Sequence, residues 1–140
     1  MVCIYCGSKT QVVNSRPQKT SKQTWRRRKC LNCSVIFSTI ERINFSNSLV
    51  ITNKNDKIED FVKEKLLLSI YDSLRHRKDS INDSISLTDT VMSRVLINLN
   101  TPVIDRNKLI RIVHGVLNRF DKSAAVHYLA YYPIDQIKTN

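Results

Sequence analysis

Two Cys-x-x-Cys motifs constrain this chain more than any other feature of its sequence. They comprise Cys3 with Cys6 and Cys30 with Cys33, which are all the cysteines among the 140 residues. A tetrahedral metal ion takes four soft ligands at about 2.3 Å, and two tight Cys-x-x-Cys turns brought together supply them. The 23 residues between the motifs are enough for a short antiparallel hairpin. The sequence therefore predicts a small module held by one structural Zn²⁺.

Other roles for the cysteines have less support. A redox pair stands at the start of a helix after a buried strand, and no strand pattern precedes Cys3. Disulfides are typical of secreted chains, and no apolar stretch of the kind found in signal peptides precedes Cys3. Iron is the main rival metal, because sites of four cysteines also accept it.

Positive charge is concentrated beside these motifs. Residues 1–42 contain nine Lys or Arg and one acid, whereas residues 43–140 contain fourteen and eleven. Such a patch attracts polyanions by releasing their counterions, so nucleic acid is the predicted partner and surface solubility the plain alternative. The main run is Trp25, Arg26, Arg27, Arg28 and Lys29. Its tryptophan either stacks on a base or sugar or covers the small core.

The sequence gives little support for a membrane protein or an enzyme. No apolar run approaches the roughly 18–20 residues of a membrane span. The chain has no Gly-rich phosphate loop, no HExxH, and no catalytic triad in a recognisable motif. His76, His114 and His127 are isolated and share no metal spacing. We therefore predict no catalytic residue.

The remainder of the chain has a helical pattern after a short hairpin. Residues 49–52 are β-prone, residues 53–57 favour a turn, and Asp60 is a plausible helix cap. Apolar spacing predicts helices near 61–77 and 87–99, with turn residues at 80–86. Asp105 and Asp121 are expected to cap two further helices. The prediction is an α+β chain with a Cys₄ zinc ribbon at 1–43, broken at residues 15–17, and a mainly helical domain at 44–140.

The motifs of the first region together resemble the NrdR family. They are Cys3-x-x-Cys6-Gly7, VVNSR at 12–16, RRRKC-x-x-C at 26–33 and FSTIER at 37–42. The family consists of bacterial repressors of ribonucleotide reductase genes, built from a zinc ribbon and an ATP-cone. The resemblance implies that Arg16 contacts DNA, and Arg42 either does so or pairs with Glu41. Asn14 stands where the family usually has Asp, and Val35-Ile36 where it has a basic pair.

The second region is similar to the ATP-cone more loosely. The similarity rests on Val50-Ile51, Phe61-x-x-x-Lys65-Leu66, and Ala124-x-Val126-His127-Tyr128 with Tyr132. The hairpin turn departs from the family, since Asn53-Lys54 and Asp56 replace a basic pair and a glycine. An aspartate facing a triphosphate repels it. The resemblance leaves Lys54, Lys57 and Lys65 as candidate partners for the phosphates of ATP or dATP, while the tyrosines are interpreted as packing residues.

Taken together, the resemblance implies a homo-oligomeric repressor of ribonucleotide reductase genes that binds double-stranded DNA and responds to ATP or dATP. It would be cytoplasmic in a bacterium and nucleoid-associated when bound to DNA. One alternative is an accessory factor for RNA, the ribosome or the transcription machinery, without nucleotide sensing. Another is a regulator with a degenerate ATP-cone that does not bind a nucleotide.

Overall fold

The computed structural model of this chain describes residues 1–19, 22–52 and 57–134. Backbone proximity divides the chain into two compact units, Met1–Asn44 and Phe45–Asn140. Each unit has its own sheet, and the α-helices belong to the second. The predicted α+β class, a small ribbon followed by a mainly helical unit with a short hairpin, is confirmed. No helix in these ranges is long and apolar enough to cross a membrane.

An antiparallel sheet of three strands forms most of the first unit. Its strands, in spatial order, are β1 (Thr10–Gln18), β2 (Gln23–Cys30) and β3 (Ile36–Glu41). The predicted break at residues 15–17 is wrong, because β1 continues through it and Pro17 pairs with Thr24. Proline lacks a backbone N–H, but β1 is an edge strand, where such a residue is tolerated.

This first sheet has almost no apolar interior. Among the described residues of the unit, the buried side chains are those of Cys3 and Cys30. Val12, Ile36 and Ile40 remain between 44% and 49% exposed. So little buried apolar surface does not offset the conformational entropy lost on folding. The unit therefore needs a link between its two cysteine motifs, which a bound metal would provide.

A second sheet of three short strands lies in the second unit. Its middle strand β4 (Val50–Thr52) pairs antiparallel with β5 (Ile58–Asp60) and parallel with β6 (Val103–Asp105). The sequence predicts the hairpin of β4 and β5 but not β6. That strand has three residues, and its partner precedes two helices in the chain, so no local pattern indicates the pairing.

Four helices complete the second unit. They are α1 (Lys63–Leu74), α2 (Ser80–Ile97), α3 (Arg106–Phe120) and α4 (Lys122–Tyr131). Asp105 and Asp121 cap α3 and α4 as predicted, since each carboxylate accepts a backbone N–H in the first turn. Asp60 does not cap α1, because it lies in β5 and pairs with Val50.

The predicted turn at residues 80–86 is also wrong, because these residues are the first part of α2. Polar side chains on its buried face account for the error. The hydroxyl of Thr88 donates to the carbonyl of Ser84 at 2.7 Å, and Ser84 donates to the carbonyl of Ser80. These bonds satisfy the hydroxyls inside the helix, so the face packs without the apolar spacing that marks a helix start.

The four helices and the second sheet enclose one apolar core. On α1 the core side is formed by Leu66, Ile70 and Leu74, one every four residues. Leu68, in contrast, has a side chain that is 60% exposed. The core also takes in Phe61, whose ring is fully buried. This unit thus has the interior that the first unit lacks.

Candidate metal centre and nucleic-acid interface

The two cysteine motifs fold into matching turns. In the first, the N–H of Gly7 donates to the carbonyl of Cys3 at 3.0 Å, and the N–H of Cys3 donates to the carbonyl of Ser8 at 2.8 Å. In the second, the N–H of Cys30 donates to the carbonyl of Val35 at 2.9 Å. The residue four positions after each first cysteine has a positive φ. The same local fold therefore presents both pairs of thiols.

Backbone N–H groups point at the first sulfur of each turn. The N–H of Tyr5 donates to Cys3 Sγ at 3.5 Å, and those of Asn32 and Cys33 donate to Cys30 Sγ at 3.4 Å. At Cys30 the bonds from Cys33 and Asn32 lower the pKa of the thiol and so favour the thiolate. Thiolate is the form that binds a metal.

The four sulfurs lie close together. The Sγ atoms of Cys3 and Cys33 are 3.7 Å apart, those of Cys6 and Cys30 3.5 Å, and those of Cys6 and Cys33 3.6 Å. All four lie within 4.8 Å of one another. Metal–sulfur bonds of about 2.3 Å at tetrahedral angles give sulfur separations of about 3.8 Å, whereas a disulfide needs about 2.0 Å. The geometry thus fits one metal ion and no disulfide.

The pKa shifts of the cysteines also favour a bound cation. Hydrogen bonds from the side chain and backbone of Ser8 lower the pKa of Cys6 to about 6. At Cys33 a backbone hydrogen bond to Val35 lowers the pKa, but desolvation and the neighbouring thiols outweigh it and raise the pKa to about 12. Hydrogen bonds alone therefore do not keep four thiolates together at neutral pH. A bound divalent cation would do so, and Zn²⁺ suits four sulfur ligands.

The basic run forms the central strand of the ribbon sheet, so its side chains alternate between two faces. We call one the Arg27 face and the other the Arg28 face. The Arg27 face consists of Gln11, Asn14, Arg16, Trp25, Arg27, Lys29, Ile36, Ser38 and Ile40. The Arg28 face consists of Thr10, Val12, Ser15, Pro17, Thr24, Arg26, Arg28, Phe37, Thr39 and Glu41. The structure thus separates the predicted cations into two groups.

The two faces differ in exposure and in charge. Arg27 and Lys29 are exposed, whereas Arg26 and Arg28 are half-buried. Arg26 pairs with Glu41, and Arg28 Nε donates to Thr39 Oγ1 at 3.2 Å. The Arg27 face carries three cations and no carboxylate. Within the described part of the chain, none of its cations has an acidic partner. Its charge is therefore available to an outside anion.

The remaining predicted contacts lie away from these faces. Arg42 is exposed and follows the last residue of β3. Sequence reasoning did not place Asn14 or Gln11 among candidate contacts, although both lie on the Arg27 face. Simple alternation along β1 could not have found Asn14, because the register between β1 and β2 shifts at this point.

A cleft of about 450 Å³ opens in the second unit, and Lys65 lies at its rim. Residues of β4, β5, α1, α3 and α4 line it. Tyr128 and Tyr132 form one wall, with ring centres 4.8 Å apart. Burial raises the pKa of Tyr128 to about 12. Lys57 is exposed just before β5 and does not line the cleft, and Lys54 lies outside the described residues.

Sequence reasoning missed Arg106, which lines the same cleft at the start of α3. Its position directly after the capping Asp105 was a signal, since the first turn of a helix attracts anions. The cleft also carries Glu59, Asp60 and Asp72. Two cations and three acids therefore surround it.

A ribbon with four converging cysteines, followed by an independent α+β unit, places the chain among the zinc-ribbon proteins. Residues 1–41 match the family model described as the N-terminal domain of NrdR-like transcriptional repressors. The chain belongs to the NrdR family, as its motifs predict, because relatives of that name match nearly all of it.

Three of these relatives are each called transcriptional repressor NrdR. The protein of Bartonella tribocorum is 34% identical over 136 residues, which cover 94% of this chain and 82% of the relative. The protein of Lachnoclostridium phytofermentans is 30% identical over 133 residues, 94% and 86% of the two chains. That of Finegoldia magna is 30% identical over 134 residues, 94% and 87%. Their names describe a non-enzymatic role.

Proposed function

We propose that this chain is a repressor that binds double-stranded DNA through its zinc ribbon. The observation that carries the proposal is the Arg27 face, an exposed surface with three cations and no acid on a sheet held by four cysteines. The names of the relatives support it independently. Phosphate neutralisation would supply most of the affinity, since each contact releases condensed counterions.

The metal has a structural part in this function. Cys3, Cys6, Cys30 and Cys33 would hold one Zn²⁺ and so join the N-terminal turn to the end of β2. The ion supplies the cross-link, and the sheet then presents Arg16, Trp25, Arg27 and Lys29 in a fixed arrangement. Arg42 would add a phosphate contact at the end of β3. If the metal has this role, its removal should unfold the ribbon and abolish the binding surface.

The finer proposal follows the family resemblance: the regulated genes are those of ribonucleotide reductase, and the effector is ATP or dATP. The cleft beside Lys65 is where a nucleotide would bind in the second unit, with Arg106 as a second cation and Tyr128 and Tyr132 as an aromatic wall. Three acids around the same cleft would repel an unneutralised triphosphate. The nucleotide would therefore enter with its Mg²⁺, which neutralises phosphate charge.

Residues 44–140 would also join subunits into a homo-oligomer. Several large apolar side chains on its helices are at least 60% exposed, namely Leu68, Ile81, Ile97, Val126 and Tyr131. Subunit contacts would cover such side chains. A nucleotide that binds one assembly better than another would then change DNA affinity. A repressor of this kind acts in the cytoplasm, on the nucleoid.

The test compares nucleic acids at several salt concentrations. We expect the zinc-loaded full chain to prefer duplex DNA over single strands and over an RNA hairpin. Phosphate contacts by Arg16, Lys29 and Arg42 of one ribbon predict a slope of about −3 for log affinity against log salt concentration. Equal affinity for the RNA hairpin and for random duplexes would favour an accessory factor of the RNA or ribosome machinery instead.

A further inference from the structure

A β-bulge decides which side chains share the Arg27 face. Val12 pairs with Arg28, but Asn14, not Val13, pairs with Arg27, so β1 contains one extra residue at this point. In a regular ladder Val13 would face Arg27, and Asn14 and Arg16 would lie on the Arg28 face. Bulges re-aim side chains and are common beside functional sites. Here the bulge gathers Asn14, Arg16 and Arg27 on one exposed surface.

The middle row of this face has the chemistry of base recognition. Asn14 and Arg27 are directly opposite each other, and such pairs have Cβ atoms about 4.5–5.5 Å apart. An arginine side chain binds the O6 and N7 of guanine with two hydrogen bonds, and an asparagine binds the N6 and N7 of adenine in the same way. Consecutive base pairs are about 3.4 Å apart. Asn14 and Arg27 can therefore reach neighbouring base pairs.

The flanking rows suit the edges of a groove. Arg16 lies with Trp25 and Ile40 in the row toward the hairpin tip, and Lys29 lies with Gln11 and Ile36 in the row toward the metal. The cations of the face all lie on β1 and β2, two neighbouring strands about 4.8 Å apart. The major groove is about 12 Å wide and the minor groove about 6 Å. The major groove admits a two-stranded ribbon, so it can take the edge of the sheet formed by β1 and β2.

The Arg28 face is a poorer candidate for reading bases. Its two arginines are half-buried and engaged with Glu41 and Thr39 on the same sheet. Binding a base edge would break those contacts, and Glu41 would meet the phosphates of the groove. Arg26 and Arg28 can still contribute to the general field that attracts DNA.

We propose that the Arg27 face enters the major groove, where Arg27 reads a guanine, Asn14 reads an adenine in the adjacent base pair, and Arg16 and Lys29 contact phosphates. This inference rests on the proposed function, since it presumes that the ribbon binds duplex DNA. It assigns sequence discrimination to a pair of residues that only the bulge brings together.

The experiment begins with selection of preferred sites from a pool of random duplexes by the zinc-loaded full chain. The affinity of the selected duplex and of its single-base variants is then measured for the wild type, Arg27→Ala, Arg27→Lys, Asn14→Ala and the comparator Arg28→Ala. Zinc content and circular dichroism confirm that each variant is folded. The selected site is expected to contain a G·C pair next to an A·T pair.

We expect Arg27→Ala to weaken binding to the selected duplex about 10- to 100-fold and to remove discrimination at one G·C pair. Arg27→Lys keeps the charge, so the salt slope should be unchanged while that discrimination is lost. Asn14→Ala should lose discrimination at the neighbouring A·T pair. Arg28→Ala should weaken all duplexes by a similar factor and leave sequence preference intact.

Loss of sequence preference in Arg28→Ala, with preference retained in Arg27→Ala and Arg27→Lys, would overturn the inference. So would a selection that yields duplex binding without sequence preference, although duplex binding itself would then stand. A wild-type chain that binds no duplex better than RNA would instead overturn the proposed function, so the two failures are distinguishable.

Discussion

Gly7 and Ser34 occupy the same position in the two cysteine turns, four residues after Cys3 and Cys30, and their φ angles are +71° and +58°. Glycine adopts this left-handed conformation without penalty, whereas a residue with a Cβ pays for it. The second turn therefore carries local strain that the first does not.

This strain leads to the first prediction. Ser34→Gly should stabilise the ribbon by about 0.5–1 kcal/mol, because the strain removed exceeds the extra backbone entropy of glycine. Gly7→Ala should destabilise it by about 1 kcal/mol, although a Cβ at Gly7 meets no atom within 4 Å. Zinc competition with a chromophoric chelator measures both changes. A weaker zinc affinity in Ser34→Gly would show that the serine makes a contribution that outweighs its φ.

Metal removal provides the second prediction. Chelation should unfold the first unit, where only Cys3 and Cys30 are buried among the described residues, and spare the helices, which have a core of their own. Circular dichroism at 222 nm should keep most of its amplitude, while the fluorescence of Trp25, the single tryptophan of the chain, should change. A parallel loss of both signals would mean that the second unit depends on the ribbon.

Acid sensitivity provides the third prediction. His76 Nε2 donates to the carboxylate of Asp121 at 3.0 Å. This contact, together with the capping N–H of Ala124 and a bond from Arg77, lowers the pKa of Asp121 to about 2. A carboxyl whose pKa is lower in the folded state adds stability above its unfolded pKa near 4 and loses it as the pH falls toward 2.

Asp121→Asn should therefore cost about 1–2 kcal/mol at pH 6 and much less at pH 2.5. Chemical unfolding followed at 222 nm measures this difference. Asp89→Asn is the matched control, because Asp89 is 61% exposed and pairs only with Lys63 among the described residues. Its cost should be near zero at both pH values. An equal loss of stability in the two variants would show that the capping carboxylate makes no special contribution.

The fourth prediction concerns the cleft beside Lys65. If ATP or dATP binds there, Lys65→Ala should weaken binding about 5- to 10-fold, and omission of Mg²⁺ should weaken it further. Lys78→Ala is the charge-matched control, since Lys78 is exposed and lines no part of the cleft. Calorimetry with both nucleotides at about 1 mM, paired with a measurement of particle mass, is the test. No heat and no change in mass would indicate that the second unit does not bind these nucleotides.

Local signals in the sequence were sufficient to predict the structure wherever it depends on residues that are close together in the chain. The spacing of Cys3, Cys6, Cys30 and Cys33 predicted the ligand set, because a Cys-x-x-Cys turn can present its two sulfurs on one side without help from the rest of the chain. Asp105 and Asp121 marked the starts of two helices for a similar reason, since a cap acts within its own first turn.

Local signals did not predict the structure where a contact with a distant part of the chain decides it. Nothing near Val103 indicates that β6 will pair in parallel with β4, and nothing near Ser84 indicates that a polar stretch will be the buried start of α2. Arg106 joins the cleft only because α3 packs against α4, which in turn packs against α1. In each case the deciding contact comes from another part of the chain.

The amino-acid sequence by itself determined that this chain has a four-cysteine ribbon with a basic run, followed by a mainly helical unit, and that it resembles the NrdR family. Only the tertiary structure decided that Arg27 and Arg28, adjacent in the chain, lie on opposite faces, and that Asn14 joins Arg27. Alternation along a strand is local, but the bulge at Val13 exists only between paired strands. The register between β1 and β2 therefore determines which residues form the exposed basic surface.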